Sequence, residues 1–378
     1  MVLGSSWTIQ MCHFHINIVY TVLLYLVYSV LLYTQPNQFS SHTSYKADTG
    51  YKTHSDLTAE SHMMTSTSMP SYTLGNGATM PAIGLGTWQC SDQEARVAVR
   101  EALRVGYRHV DTAWMYMCEK GVGQGIRDWV EEGGDRKELC VVTKLPPNAN
   151  RAEDVERLLD KQLDNLGLDY LDLYLIHGPM GLKNTGDDTE MFSGGDDYET
   201  DLVALWAGME KMVEKEKAKT IGVSNFNEKQ IERILQSCQI KPANNQIEVH
   251  AYFSNTGLVE YCKLKGITVC AYAPLGSPSR GKLMQDTAHL TQNAMEDPVI
   301  IELSKRYNKT PGQILLRHLL QRDICIIPKS GNPVRIKENF SILDFELKEE
   351  DLAAIEGLDK NERLFPLLSC KQHPEYPF

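Results

Sequence analysis

The chain has 378 residues, 42% of them hydrophobic, and a formal net charge of −11 with a pI near 5.5. That balance excludes a nucleic-acid surface, since phosphate binding needs clustered Lys and Arg, while the apolar share is enough for a sizeable core. Nine cysteines, an odd number with no CxxC spacing, indicate neither a disulfide framework nor a zinc site. Buried reduced thiols are the expectation, and no metal is implied.

Residues 1–68 read as an extension ahead of the folded domain at 69–378. Its segment 16–33 is mostly apolar and uncharged, near the lower limit for spanning a bilayer. No Lys or Arg lies upstream of it, so the positive start of a secretory signal is lacking. Residues 34–68 are rich in Ser and Thr and read as a disordered linker. A membrane anchor, a signal peptide and an upstream extension outside the working protein all remain open, with Met63, Met64 or Met69 as the start in the last case.

From residue 69 onward short apolar runs alternate with longer amphipathic stretches. Residues 72–80, with Gly75-Asn76-Gly77 inside, predict a hairpin, and 82–86 predict a first buried strand. Residues 92–105 space Ala95, Val99 and Leu103 as a helix does. Strands follow at 107–110, 139–142 and 171–176, then at 220–223, 245–249, 267–271 and 324–327. Helices are predicted at 152–166, 202–216 and 228–237. Eight strand candidates with helices between them are the tally of an α/β fold of (β/α)8 TIM-barrel type, opened by a hairpin. An open Rossmann sheet is disfavoured because no GxGxxG begins a helix after a strand.

Asp111, Tyr116, Lys144 and His177 each lie at or just past the end of a predicted strand. Neighbouring parallel strands of a barrel bring such ends into one pocket. An unperturbed tyrosine keeps its proton to near pH 10, so a nearby cation is needed to make it a useful acid. Lys144 is expected to supply that charge, Asp111 to hold the lysine, and His177 to orient a substrate oxygen. None of the four supplies electrons to carbon, so a bound hydride donor is implied.

The stretch Gly106-Tyr107-Arg108-His109-Val110-Asp111-Thr112-Ala113, with Tyr116, Glu119, Val122 and Gly123 after it, resembles the first signature of the aldo-keto reductases. Met209 with Lys219-Thr220-Ile221-Gly222-Val223-Ser224-Asn225-Phe226 resembles the second. Ile327-Pro328-Lys329-Ser330, Arg335, Glu338-Asn339 and Ile342 resemble the third. The likeness runs from about residue 69 to 378.

The resemblance implies an NADPH-dependent oxidoreductase reducing aldehydes or ketones to alcohols, with Tyr116 as proton donor. It also implies where the cofactor goes. Ser224, Asn225 and Gln246 match the positions that hold the nicotinamide carboxamide, and Tyr272 the aromatic stacked on the ring. Leu275, Ser277 and Arg280 fall in the loop over the pyrophosphate. Lys329, Ser330 and Arg335 match the surroundings of the adenosine 2′-phosphate, and Glu338 and Asn339 approach the adenine. Cationic donors suit a dianionic 2′-phosphate, whereas an NAD site more often carries an acid at the ribose.

On the substrate side Trp88 matches a pocket-lining aromatic, His177 faces the carbonyl, and Trp114 either reaches the pocket or caps the barrel. Trp206 shares a helical face with Leu202, Leu205 and Met209 and reads as core. Residues 364–378 resemble the family's C-terminal specificity loop, with Leu367, Leu368 and Cys370 as lining; Cys370 is either an oxidation-sensitive thiol or inert packing. Many relatives have His-Trp-Pro where this chain has His177-Gly178-Pro179, which predicts a pocket lacking one aromatic wall. Residues 184–198, rich in Gly and Asp, read as a mobile acidic loop.

A small carbonyl compound is the expected partner, for a cytoplasmic monomer, unless residues 16–33 anchor it to a membrane. Two alternatives stay open: an NADPH-binding regulatory or sensing subunit of a membrane partner, and an enzyme oxidising alcohols or steroids.

Overall fold

The computed structural model describes residues 69–75, 77–278 and 292–378. Segment 16–33, the linker after it, Asn76 and Arg280 lie outside the described residues. Among the described residues no helix is long and apolar enough to cross a membrane.

The chain opens with the antiparallel hairpin β1 (Ser71–Thr73) and β2 (Thr79–Pro81). Then come β3 (Leu85–Gly86), α1 (Asp92–Val105), β4 (His109–Asp111), α2 (Glu119–Glu131), β5 (Cys140–Leu145), α3 (Asp154–Leu166) and β6 (Leu171–Ile176). A small excursion, β7 (Gly181–Leu182) and β8 (Asp196–Asp197), precedes α4 (Leu202–Glu214), β9 (Ala218–Ser224), α5 (Glu228–Leu235), β10 (Asn244–Glu248), α6 (Thr256–Leu264) and β11 (Thr268–Tyr272). The chain ends with α7 (Pro298–Tyr307), α8 (Pro311–Gln321), β12 (Cys325–Ile326), α9 (Pro333–Phe340) and α10 (Glu349–Glu356).

Eight strands pair in parallel in the order β12-β11-β10-β9-β6-β5-β4-β3. Parallel bridges Ile83↔Ile326 and Gly86↔Lys329 join the last strand to the first and close the barrel. Closure needs a very near approach at Gly86, where an added Cβ would lie 2.7 Å from the Ile327 carbonyl oxygen. The sheet spans the same eight runs as the sequence pattern predicts, with shorter ladders where the barrel closes. Helix α1 coincides with its predicted range because Ser91 and Glu94 form a capping box at its start and Gly106, at φ 123°, ends it.

Side chains alternate across each strand, and one parity points inward. Cys140, Val142, Leu173, Leu175, Cys270, Cys325 and Ile327 fill the barrel, with Leu74 and Met80 of the hairpin beneath them. The opposite parity, including Val141, Leu145, Tyr174 and Ile176, packs with the helices in a larger core that contains Trp206. Continuing the inward parity toward the strand ends gives Lys144 above Val142, His177 above Leu175, and Gln246 and Glu248 on β10. The apolar filling thus gives way to polar groups at the C-terminal mouth, where barrels of this type place their chemistry.

Candidate active site

β4 ends on Asp111, β5 carries Lys144 one residue before its end, and His177 follows β6 directly. Tyr116 closes a short 3-10 turn, Trp114–Tyr116, just after β4. The fully buried Lys144 ammonium donates to Asp111 Oδ1 at 2.6 Å, to the Thr112 carbonyl at 2.9 Å and to the Tyr116 hydroxyl at 3.2 Å. An ammonium has three protons to give, and these acceptors account for all three. The Tyr116 and His177 rings meet edge-on, with centroids 5.7 Å apart.

Burial pulls the Lys144 pKa down, but Asp111 and the Tyr116 hydroxyl outweigh it and leave the amine above the ordinary lysine value. Tyr116 departs from expectation. Burial lifts the phenol above its usual value, and the Lys144 charge opposes that rise only in part, so the resting hydroxyl is not more acidic than a free tyrosine. Burial, with the Lys144 charge after it, holds His177 well below the usual histidine range. Its ring is therefore neutral at pH 7, with one N–H to donate; Nδ1 is buried with no partner among the described residues. A protonated phenol and a neutral imidazole side by side, next to a fixed cation, can bind an oxygen and then protonate it.

Behind Lys144 lies a buried polar hub that the sequence did not announce. Gln162 of α3 donates to Glu119 Oε1 at 2.8 Å, to Thr143 Oγ1 at 3.0 Å and to the Lys144 carbonyl at 3.1 Å, and accepts the Tyr174 hydroxyl at 2.8 Å. It ties the outward parity of β5 and β6 to the helix layer. A lone glutamine on an amphipathic helix gives no warning of that role.

Four of the expected cofactor residues, Ser224, Asn225, Gln246 and Tyr272, are linked to the same mouth by hydrogen bonds. Ser224 Oγ donates to the Gln246 carbonyl at 2.8 Å, and Asn225 Nδ2 to the His177 carbonyl at 2.9 Å. The Tyr272 hydroxyl donates to Asn225 Oδ1 at 2.8 Å, and Gln246 Nε2 to Asp111 Oδ2 at 2.7 Å. Leu275 packs between two parts of the core, and Ser277 has φ 43°. Around α9, Lys329 and Arg335 are exposed, Glu338 half-buried, and Ser330 and Asn339 buried.

The substrate-side residues are only partly brought together. Trp88 is half-buried and packs edge-on against Phe365, centroids 5.5 Å apart. Trp114 is buried, and its indole N–H donates to the Asp188 carbonyl at 3.0 Å. Leu367, at φ 51°, Cys370 and Tyr376 pack with Met180 and Leu182, while Leu368 is largely exposed. Burial raises the Cys370 thiol, which fits packing better than a reactive thiolate. An added Cβ at Gly178 would meet only Met180 Cε, at 3.5 Å, so a flexible methionine borders the place of the missing aromatic wall.

Residues 184–198 are not the free loop that their composition predicts. Asp188 is buried and accepts Arg157 Nη1 and Lys161 Nζ, each at 2.6 Å, and Asn184 Nδ2 at 3.0 Å. Burial would push its carboxyl up, but these donors outweigh that and hold it far below the usual range. β7 and β8 pair the two ends of the excursion.

The model of the aldo/keto reductase family matches residues 82–360. The chain belongs to the aldo-keto reductase family. It is 41% identical over 322 residues to aldo-keto reductase family 1 member A1 of Xenopus tropicalis, covering 81% of this chain and 96% of that one. It is 38% identical to prostaglandin F synthase 1 of Bos taurus, over 81% and 96% of the two chains. Among solved structures, the aldose reductase of Schistosoma japonicum superposes with a TM-score of 0.75 at 41% identity, covering 82% of this chain and 99% of that one. A Bombyx mori aldo-keto reductase solved in complex with NADP gives 0.75 at 39% identity, with the same coverage. As an aldo-keto reductase the chain is an NADP-dependent oxidoreductase that reduces carbonyls.

The residues present suit that cofactor. Lys329 and Arg335 make no ion pair with a described carboxylate, although more than twenty other ion pairs are formed, so two cations stand uncommitted beside the N-terminal end of α9.

Proposed function

We propose that this reductase turns small aldehydes and ketones into alcohols, with Tyr116 as the proton donor. The observation that carries the reading is the Lys144 ammonium, buried and shared between Asp111 at 2.6 Å and the Tyr116 hydroxyl at 3.2 Å. NADPH, when bound, supplies the hydride. Ser224, Asn225 and Gln246 would hold its carboxamide, Tyr272 would pack against its ring, and Lys329, Ser330 and Arg335 would take the 2′-phosphate. Leu275, Ser277 and Arg280 would lie over the pyrophosphate, and Glu338 and Asn339 would border the adenine.

The carbonyl oxygen docks between the Tyr116 hydroxyl and the neutral His177 ring. As negative charge grows on that oxygen, Tyr116 gives its proton. Lys144 then stabilises the phenolate, and Asp111 keeps the lysine charged and aimed. In the resting site burial keeps the phenol protonated, so the acid is loaded before substrate arrives. Trp88, Leu367 and Cys370 border the substrate side, with Trp114 behind them.

We place the catalytic unit at residues 69–378, as a monomer in the cytosol. The eight described cysteines are free thiols, seven of them buried, which suits a reducing compartment. Protein starting at Met69, mixed with NADPH and a panel of small carbonyls, is the test. Loss of NADPH absorbance with at least one aldehyde is expected; NADPH binding without turnover on any carbonyl would favour a sensing role instead.

A further inference from the structure

Glu119 opens α2 with a buried carboxylate, three residues after Tyr116. A buried carboxylate is tolerated only when its oxygens are hydrogen-bonded, and here three neutral groups do so. Thr143 Oγ1 donates to Oε1 at 2.7 Å, Gln162 Nε2 to the same oxygen at 2.8 Å, and Asn165 Nδ2 to Oε2 at 3.3 Å. Burial raises the carboxyl above its usual range, and these three bonds, with the Lys144 charge after them, oppose the rise.

What these partners hold is the backbone on both sides of the Lys144 α-carbon. Thr143 and Lys144 are consecutive on β5, so their side chains leave opposite faces of the strand. The ammonium enters the barrel, and the threonine hydroxyl meets the helix layer. Gln162 Nε2 reaches Thr143 Oγ1 at 3.0 Å and the Lys144 carbonyl at 3.1 Å, while the Tyr174 hydroxyl on Gln162 Oε1 at 2.8 Å orients that amide. The root of the lysine is thereby fastened to α2 and α3. The same carboxylate fastens the start of α2 to β5, and α2 is entered from the turn Trp114–Tyr116 that carries the phenol. The Lys144 ammonium and the Tyr116 hydroxyl, 3.2 Å apart inside the mouth, are thus linked a second time behind it, by side chains that bond to neither group.

We propose that Glu119 is a positioning residue for proton delivery: through Thr143 and Gln162 it sets the separation between the Lys144 ammonium and the Tyr116 hydroxyl. The proposal rests on the reading of Tyr116 as the proton donor. The groups that face the pair directly are Asp111 from β4 and His177 after β6, and Asp111 is the carboxylate in contact with the ammonium. Glu119 works on distance from the opposite face of β5, so its acceptor oxygens matter more than its charge.

The test compares wild type, Glu119→Leu, Glu119→Gln, Tyr116→Phe and the double variant Tyr116→Phe with Glu119→Leu. Each is premixed with NADPH and followed through a single turnover of the aldehyde that wild type reduces fastest, with NADPH affinity and KM measured alongside. Glu119→Leu fills the space without an acceptor and should slow the single turnover by about tenfold to a hundredfold, the scale of a small misplacement of reacting groups, with NADPH affinity and KM nearly unchanged. Glu119→Gln keeps an acceptor oxygen and should recover most of the rate. In the Tyr116→Phe background Glu119→Leu should cost nothing further, because the glutamate acts through the tyrosine.

A single turnover unchanged in Glu119→Leu, a Glu119→Gln as slow as Glu119→Leu, or losses that multiply in the double variant would each overturn the proposal, the last because a loss independent of Tyr116 marks a merely structural role. Should Glu119→Leu not fold, Thr143→Val replaces it with the same expectations, since it removes the hydroxyl that joins β5 to the carboxylate. Tyr116→Phe reacting as fast as wild type would sink the proton-donor reading and this proposal with it. A slow Tyr116→Phe beside a fast Glu119→Leu would sink the positioning claim alone.

Discussion

Gln246 Nε2 donates to Asp111 Oδ2 at 2.7 Å while Lys144 Nζ donates to Oδ1 of the same carboxylate at 2.6 Å. The group that keeps the lysine charged is thereby held from both sides, by the strand that carries the ammonium and by the strand that carries a cofactor-side amide. Asp111→Asn keeps the shape and removes the charge. A buried lysine without its carboxylate loses its proton more readily. Lys144 must be charged to act, and Asp111 helps hold its pKa above the ordinary value, so activity is lost as pH rises through that pKa. The alkaline limb of kcat should therefore move to lower pH in Asp111→Asn, with kcat reduced at neutral pH; an unmoved limb would show that the ion pair does not set the lysine charge.

Arg335, in the first turn of α9, and Lys329, just ahead of it, are exposed and form no ion pair among the described residues. Arg335→Ala should weaken NADPH binding by about tenfold or more, in line with about 1.5–3 kcal/mol for a charge-assisted contact, and leave NADH binding nearly unchanged. Fluorescence titration with both cofactors checks it. Equal weakening of the two would place the 2′-phosphate elsewhere.

His318 is buried in α8 with neither ring nitrogen hydrogen-bonded among the described residues, and burial drives its pKa from 6.5 to about 3. Above pH 6.5 the ring is neutral whether the chain is folded or not. Between pH 6.5 and about 3 only the unfolded chain takes up the proton, so stability falls as pH falls through that window, by about 2 kcal/mol at pH 5. His318→Leu should flatten the decline of the unfolding midpoint between pH 7 and 5, leaving the part due to His177, which shares the same sign. An unaltered decline would mean that the ring is hydrated or hydrogen-bonded in solution.

Gly178 leaves ordinary van der Waals space for a side-chain root, with Met180 Cε as its near neighbour. Gly178→Trp should displace that methionine and supply the missing aromatic wall. KM for benzaldehyde should fall several-fold while KM for hexanal stays or rises, as steady-state kinetics would show. A uniform loss with both aldehydes would mean that the indole blocks the mouth.

The barrel was legible because its signals are local. Each inward run ends in a chemically distinctive residue, and α1 is bracketed by Ser91 and Gly106. Helix α2 left no such mark, because Gly121, Gly123 and Gly125 are poor helix formers; they are there because an added Cβ would lie 2.0 Å from the Asp92 carbonyl oxygen, 2.0 Å from that of Leu166 and 2.7 Å from that of Arg96. The excursion at 184–198 misled for a related reason. Its composition signals solvent, and only the fold shows Asp188 buried under Arg157 and Lys161. The hub around Gln162 escaped notice because its partners come from other elements, Glu119 on α2, Thr143 on β5 and Tyr174 on β6, with no pattern in any one of them. The raised pKa of Tyr116 was equally invisible, since burial depends on everything packed around it.

The central claim is that the Tyr116 hydroxyl, served by Lys144, delivers the proton. Turnover of a good aldehyde substrate by Tyr116→Phe, with NADPH affinity measured on the same protein, tests it most directly. The account predicts a loss of about 10² to 10⁴ in kcat, the range for lost general-acid catalysis, with cofactor affinity nearly intact. Turnover equal to wild type in a variant that still binds NADPH would contradict it.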